Sequence, residues 1–480
     1  MKTTNWAALA AVMACAAPVS AAPFLIATGS LGGTADLSGQ TALLENGLPG
    51  NVLGGLGSGL AWAGGNRFLA LPDRGPNANA YNPLVDDTVS YISRFQSVTL
   101  TLTAQANGAL PFALTPTLTG TTLLSSPTPL IYGTGAGLGN RVDGTPLGSG
   151  APGLNTAGSY YFTGRSDNFG PGGSGNPADA RFDPESVRLS NDGRTVFISD
   201  EYGPYIRAFD RATGQLVRTY TLPSNLAVAN TSAQGAVEIS GNTAGRTANK
   251  GMEGLAITPD GKTLVGIMQA ALIQDTSKLV RIVTVDIATG ATREYGYRLT
   301  TGSGVSEIVA VNDHQFLVDE RDGKGLGDGS QAAVKSVFLI DIANATDISG
   351  VVAATNSTPT VTKSATPFLD IVAALRAYGL SADQIPAKIE GLAFGDDVLF
   401  NGQTLHTLYV ANDNDFVPGI AGPNQFYVFG FSDSDLPGFV RQAIAPVPEP
   451  ATWSMLLAGV GALGAMLRRR GASKAVAPSA

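Results

Sequence analysis

One pattern recurs five times along the chain, and a repeat of this kind restricts the fold more than any single motif. Its copies begin at Ser58 (SGLAWAGGNRFLALPDRG), Glu185 (ESVRLSNDGRTVFISDEYG), Glu253 (EGLAITPDGKTLVGIMQAA), Glu307 (EIVAVNDHQFLVDERDG) and Glu390 (EGLAFGDDVLFNGQTLHTLYVANDND). Each copy has a polar or acidic first residue, a short apolar strand, a Gly/Asp/Asn turn and a second apolar strand. Four of the five then end in acidic residues. Further strand-like runs follow three of them, YIRAFDRATGQLVRTYTL, LVRIVTVDIATGATREYGY and SVFLIDI, and the Asp-x-Ala-Thr-Gly turns at Asp210 and Asp286 are near copies. Four strands per unit is the make-up of a propeller blade.

Spacing predicts the number of blades. The copies are separated by 127, 68, 54 and 83 residues. The last three steps average about 68, and the first is close to twice that, so a degenerate unit is expected between about residues 105 and 165. LPFALTPTLTG and GSYYFTGR supply its strand-like pieces. The expected fold is therefore all-β, a single β-propeller of six blades, with five or seven as alternatives. A two-sheet sandwich competes less well, because it would not explain the repeat. FLIATGSL near residue 24 and QFYVFGF at 425–431 should pair in one blade, closing the ring and removing its exposed edges.

Composition agrees. Of 480 residues, 60 are Gly and 28 are Pro, and only 14% are charged, which suits a loop-rich exported β-protein. The net charge is −8 and the body of the chain has no basic stripe, which argues against nucleic acid as a partner.

Both ends carry addresses. Residues 1–21 read as a secretory signal, with Lys2, an apolar stretch from Ala7 to Ala17 and the small-residue site Val19-Ser20-Ala21. The only cysteine, Cys15, lies inside it. Met13 makes the segment a poor lipoprotein signal, and a mature chain without cysteine has neither disulfides nor thiol catalysis. Residues 22–446 are then the propeller. At the other end, about 451–467 is a weakly polar to apolar run at the short limit for crossing a bilayer, followed by Arg468, Arg469 and Arg470 and a tail over 471–480. Read plainly, this is a C-terminal anchor. The order Val-Pro-Glu-Pro, apolar helix, arginine cluster over 447–470 closely resembles the PEP-CTERM sorting signal. That resemblance implies recognition by an exosortase and cleavage near Pro448-Glu449-Pro450. It also implies export through the inner membrane with transient anchoring there, then an extracellular or surface location in an exopolysaccharide-making bacterium.

Equivalent positions of successive blades lie on a circle around the axis, so Glu185, Glu253, Glu307 and Glu390 should form a ring near the channel. Asp73, Asp200, Glu201, Asp319, Glu320, Asp413 and Asp415 end the second strands, and a hairpin brings both sets to one face. Asp183, just ahead of Glu185, joins them. Like charges held this close need neutralising. A hard cation such as Ca2+, with six to eight oxygen ligands, is one means. Basic side chains are the other: Arg74 and Arg321 follow acids directly, and Arg181, Lys250 and Lys388 precede the lead glutamates. The mixture suggests a site for metal together with a phosphate or carboxylate ligand. A repeated acid can also simply bond the neighbouring blade's backbone or an arginine.

SGLAW…LPDRGPN, FDPESV…ISDEYGPYI, MEGLAITPDG, VDERDG and IEGLAF resemble the phytase-like family, named for the esterase-like activity of phytase, over most of residues 50–435. The resemblance implies a secreted propeller that hydrolyses phosphoesters or esters, with Ca2+ on the channel face. By the same resemblance, Asp183, Glu185, Asp200, Glu201, Glu253, Glu307, Glu320 and Glu390 would hold metal, and Asp73, Asp319 and Asp413 join them as candidate ligands from their place at the ends of second strands. Arg74, Lys250, Arg321 and Lys388 would hold a small anionic substrate, and Glu253, Glu307, Asp200 and Glu201 are the candidate catalytic carboxylates. The competing reading is a non-catalytic, calcium-stabilised propeller that binds a ligand or exopolysaccharide at the cell surface.

Other chemistries fit less well. His314 and His406 are the only histidines, and their turn and strand-edge contexts suit structural roles. The chain has no His-Glu-x-x-His pair for zinc and no Gly-x-Ser-x-Gly elbow. GTGAGLG and DGKGLGDGS lack the strand-to-helix setting of a nucleotide site. Glycosidase chemistry needs only two carboxylates and is not excluded by residue type.

Overall fold

The structure, a computed structural model, describes residues 22–77 and 80–445. The leader 1–21 and the apolar run 451–467 lie outside the described residues. No described helix is long and apolar enough to cross a membrane.

Each repeat folds as the inner hairpin of one blade. The first blade runs outward from the axis as Gly59–Trp62, Arg67–Leu71, Arg94–Ala104 and Phe112–Leu123. The second is Pro184–Leu189, Thr195–Asp200, Tyr205–Asp210 and Leu216–Thr221. The third is Met252–Ile257, Thr263–Met268, Leu279–Asp286 and Thr292–Arg298. The fourth is Gly304–Ala310, Gln315–Arg321 and Lys335–Asp341, edged by Thr362–Lys363 and Leu369–Asp370. The fifth is Lys388–Phe394, Gln403–Asp413 and Asn424–Phe431, and the N-terminal strand Phe24–Leu31 completes it. The termini thus close the ring, as their sequences suggested.

The innermost strands neighbour one another in this order, and the fifth returns to the first. The propeller therefore has five blades, not six. Phe112–Leu123, expected in the sixth, is the outer edge of the first blade, and Tyr160–Tyr161 pairs with the two-residue strand Ser125–Ser126. A long connection fills the step from Ser58 to Glu185. Spacing counts blades only when connections are equal, and doubling a flexible loop costs only about 0.6 kcal/mol.

Stacked blades bury both faces of their inner strands, so these read as unbroken apolar runs. Met252–Ile257 is buried along its whole length. Each fully buried Leu, Ile or Val there contributes about 1.5–3 kcal/mol of transfer free energy. The outer turns are locally encoded. Asp210 Oδ1 accepts from the Thr213 amide at 2.9 Å and its hydroxyl at 2.8 Å, and Asp286 Oδ1 does the same with Thr289 at 2.7 Å.

The two faces of the ring differ. Every inner strand starts, and every second strand ends, on one face. That face carries the long connections 32–58, 72–93, 124–183 and 222–251, whereas 63–66, 190–194, 258–262 and 311–314 on the other are short turns.

At the axis the inner strands almost touch. A Cβ on Gly59 would stand 2.9 Å from Val187 N, and one on Gly254 2.8 Å from Ile308 N. Register places Glu307 at the position that is Gly59, Ser186, Gly254 and Gly391 in the other blades. Only one large side chain fits, and its carboxylate is fully engaged. It accepts from Ser186 Oγ at 2.8 Å, Leu255 N at 3.1 Å and Ile308 N at 2.9 Å, and pairs with Arg188 Nη2 at 2.9 Å. Arg188 also donates to Leu60 O at 2.7 Å and Ile308 O at 2.9 Å. One buried ion pair thus ties four blades together.

Removing one partner of such a pair strands the other charge. Glu307→Ala is expected to lower unfolding free energy by about 3–5 kcal/mol in urea titration. Lys262→Ala, which removes the exposed Asp260–Lys262 pair, should leave the midpoint unchanged.

Candidate metal and anion site at the channel mouth

The face with the long connections is where the acidic residues gather, and backbone register decides which of them reach the axis. Four of the five inner strands are irregular at their start: the pairing shifts between Pro184 and Val187, Met252 and Gly254, Val305 and Glu307, and Ile389 and Gly391. The equivalent residues there are Ser58, Glu185, Glu253, Ser306 and Glu390. Above them, the ends of the second strands supply Asp73, Glu201, Gln269, Arg321 and Asp413. Two tiers of five side chains therefore surround the mouth.

Two carboxylate triads form within it. Asp183, Glu185 and Glu201 present oxygens within 4.8 Å of one another, and so do Asp73, Asp413 and Asp415. Three cations stand among them. Arg74 Nη1 pairs with Asp183 at 2.9 Å and also bonds Asn249. Arg321 Nη2 bridges Glu390 at 2.5 Å and Glu253 at 3.6 Å. Lys388 Nζ bridges Asp413 at 2.9 Å and Asp415 at 2.5 Å. With Asp73, Glu185 and Glu201, eight carboxylates face three cations.

That imbalance shows in their acidities. Burial, then the neighbouring Glu253 and Asp183, push Glu185 and Glu201 well above the usual carboxylate range. Burial and Asp413 do the same to Asp73. Burial and Glu390 push Glu253 up to about 8. Burial also raises Glu390 and Asp415, whereas at Asp413 burial is overcome by Lys388, the Asp415 amide and Arg321 together, which hold it low. Glu253 Oε2 is buried without a hydrogen-bond partner, and Glu185 accepts no hydrogen bond among the described residues. Hard oxygen donors, crowded, under-satisfied and short of positive charge, fit a divalent cation such as Ca2+.

Other residues expected at the site are placed elsewhere, Asp200 and Glu320 for one geometric reason. Side chains alternate along a strand, so adjacent acids cannot both face the axis. Glu201 faces the mouth, whereas Asp200 turns between blades, 3.7 Å from Arg207, with burial raising it to about 6. Arg321 faces the mouth, whereas Glu320 turns outward to Lys363, Tyr297 and the amides of Thr300 and Thr301. Asp319 lies deeper, accepting from Ser306 Oγ at 3.2 Å, and burial pushes it up to about 7. Glu307 is one residue past its counterpart Ser306 and fills the axis instead. Lys250 is exposed on the connection before the third blade, and Arg181 pairs with Glu238 at 3.4 Å. His314 bonds Asp341, and His406 sits between Asp397 and Asp433, both on the opposite side of the ring. Sequence reasoning passed over Gln269, which the repeat does mark as the one non-ionic end of a second strand. It also passed over Asn249 and Arg188, for which no local signal exists.

Fold and site together define a five-bladed propeller with a mixed-charge channel mouth suited to cations and anionic ligands. Residues 51–416 match the model of the phytase-like family, esterase-like activity of phytase, and the chain belongs to that family. Residues 446–470 match the PEP-CTERM protein-sorting motif. A relative from Arthroderma benhamiae, "Uncharacterized secreted protein", is 29% identical over 307 residues, which is 55% of this chain and 54% of the relative. The chain thus spans about half the length of that relative. Solved structures similar at low scores include Kuenenia stuttgartiensis hydrazine synthase, at 12% identity and TM-score 0.30, covering 80% of this chain and 82% of that one. A luciferin-regenerating enzyme gives 10% identity and TM-score 0.34, covering 82% and 97%. Neither likeness informs the chemistry.

The acidities predict a pH-dependent stability. Carboxyls with raised values in the folded protein hold protons that the unfolded chain releases, so folding stability falls as pH rises through that window. In EGTA, the melting temperature should fall as pH rises from the ordinary carboxylate value of 4.5 through about 8, the value to which Glu253 is raised. Calcium should remove the fall, and Glu253→Gln should reduce it.

Proposed function

We propose that this phytase-like protein is an exported hydrolase that cleaves a small anionic phosphoester or ester at the channel mouth with the help of Ca2+. The observation that carries this reading is the pairing of two carboxylate triads, buried except for Asp415, with three partly accessible cations. Arg74, Arg321 and Lys388 keep side-chain exposures of 15%, 13% and 32%, enough to meet a ligand entering from solvent.

Asp183, Glu185 and Glu201 would hold one cation, and Asp73, Asp413 and Asp415 another, with Glu253 and Glu390 between them. A bound cation supplies Lewis acidity, polarising an ester oxygen and lowering the pKa of water. The chain's own part is orientation and charge. Once the carboxylates are neutralised, the guanidinium groups of Arg74 and Arg321 and the ammonium of Lys388 can exchange a carboxylate for an anionic oxygen of the substrate. Fixed donors aimed at developing negative charge stabilise the transition state more than the ground state. Asn249 Oδ1 accepts from Arg74 Nη1, the nitrogen that also pairs with Asp183. The leader and the sorting motif supply export and exosortase processing.

The test is hydrolysis of p-nitrophenyl phosphate and p-nitrophenyl acetate by the purified protein, with calcium and with EGTA. Turnover should require calcium, Glu185→Gln should abolish turnover with calcium present, and Arg321→Met should lower kcat by about 100-fold. Absence of turnover with a calcium-dependent rise in melting temperature would instead establish a calcium-stabilised module that binds a ligand or exopolysaccharide.

A further inference from the structure

After its last strand the chain does not leave the propeller at the rim. It crosses the short-turn face, opposite the acidic mouth. Phe439 packs against Phe394, with ring centroids 4.5 Å apart, and against Phe431 and His406. Val440 N donates to Val311 O of the fourth blade at 2.8 Å. Arg441 donates to Gly395 O at 2.8 Å and Asp397 at 2.9 Å in the fifth. Gln442 Nε2 donates to Leu189 O at 2.7 Å, and Ala445 N donates to Asn191 O at 2.7 Å, both in the second. A cavity of about 50 Å³ lies at this end of the channel, lined by the last residues of the inner strands together with Arg441 and Gln442. The strap thus ends at the channel's far mouth, and the sorting motif begins with the next residue, 446.

The apolar run of that motif starts at Ala451. From Ala445 to Ala451 an extended chain reaches at most about 20 Å. Inner strands of six residues make the ring about 20 Å tall, and four strands outward give a radius of about the same size. A tether starting near the axis of one face would need about 40 Å to pass the rim and let the other face meet the same surface.

We propose that the strap-bearing face is the side of the propeller that rests against the membrane, so that the acidic mouth opens away from the lipid while the chain is still anchored. This rests on the membrane-spanning reading of 451–467 and not on the hydrolase reading. The partner is a lipid surface, and the acidic mouth stays open to soluble ligands before the sorting motif is cut.

The experiment uses the full chain, processed only at its leader, in vesicles of phosphatidylethanolamine and phosphatidylglycerol with a headgroup-attached acceptor dye. The mature chain has no cysteine, so a donor dye goes to one introduced thiol. Lys262→Cys labels the strap face, and Lys324→Cys labels the acidic face. Both residues are exposed. Donor fluorescence should be lost at position 262 and retained at 324. A 20-residue Gly/Ser insertion between Ala445 and Pro446, with a root-mean-square span of about 25 Å, should abolish the difference. Equal loss at both positions without the insertion, or greater loss at 324, overturns the orientation. Failure of the protein to float with the vesicles overturns the anchoring and the orientation with it, and leaves the hydrolysis reading untouched.

Discussion

The propeller is held at its centre by one buried ion pair. Arg188 and Glu307 reach across an axis so narrow that the positions equivalent to Glu307 in the other blades are glycine or serine. Between them they engage backbone or side-chain groups of the first four blades. Burying two charges is unfavourable unless their remaining donors and acceptors are satisfied. Here the carboxylate has four partners, and the guanidinium also serves backbone carbonyls. The pair therefore plugs the channel below the mouth, and ligands can reach the acidic tiers only from the face with the long connections.

The mouth above this plug is electrostatically unfinished. Three cations offset part of the charge of eight carboxylates, and burial with mutual repulsion drives most of those carboxyls toward their protonated forms. A fold selected for stability alone would replace some of these acids with neutral side chains. The repeat shows that such replacement is sterically open, because Ser58 and Ser306 occupy two of the five lower-tier positions. The three glutamates at the other positions stand in the second, third and fifth blades, and Arg321 of the fourth blade reaches both Glu253 and Glu390.

Sequence periodicity captured the hairpins but not the count of blades. The connection after Leu123 runs about as long as a blade's worth of residues without forming one, because loop closure penalises length only weakly. The chemistry of the site was legible as a residue class. Asp73, Asp183, Glu185, Glu201, Glu253, Glu390 and Asp413, with Arg74, Arg321 and Lys388, do meet at one mouth. Asp200 and Glu320 do not, because the pleat sends neighbours to opposite sides, and Asp319, on the same side as Arg321, lies two residues deeper and bonds Ser306. Glu307 misled for a subtler reason: Ser-Glu at 306–307 shifts the acid by one position relative to the Glu-Gly pairs at 253 and 390, and one position is enough to move it from the mouth to the axis.

The sequence by itself determined the all-β propeller class, the pairing of the termini, the face on which charge collects and the sorting motif at the C-terminal end. These depend on local signals: alternation, turn residues, repeated spacing and composition. Only the tertiary structure decided the number of blades, the split between mouth and scaffold carboxylates, the Arg188–Glu307 plug and the crossing of the strap over the far mouth. Those depend on register and on contacts between residues more than 100 positions apart, where no local pattern carries the information.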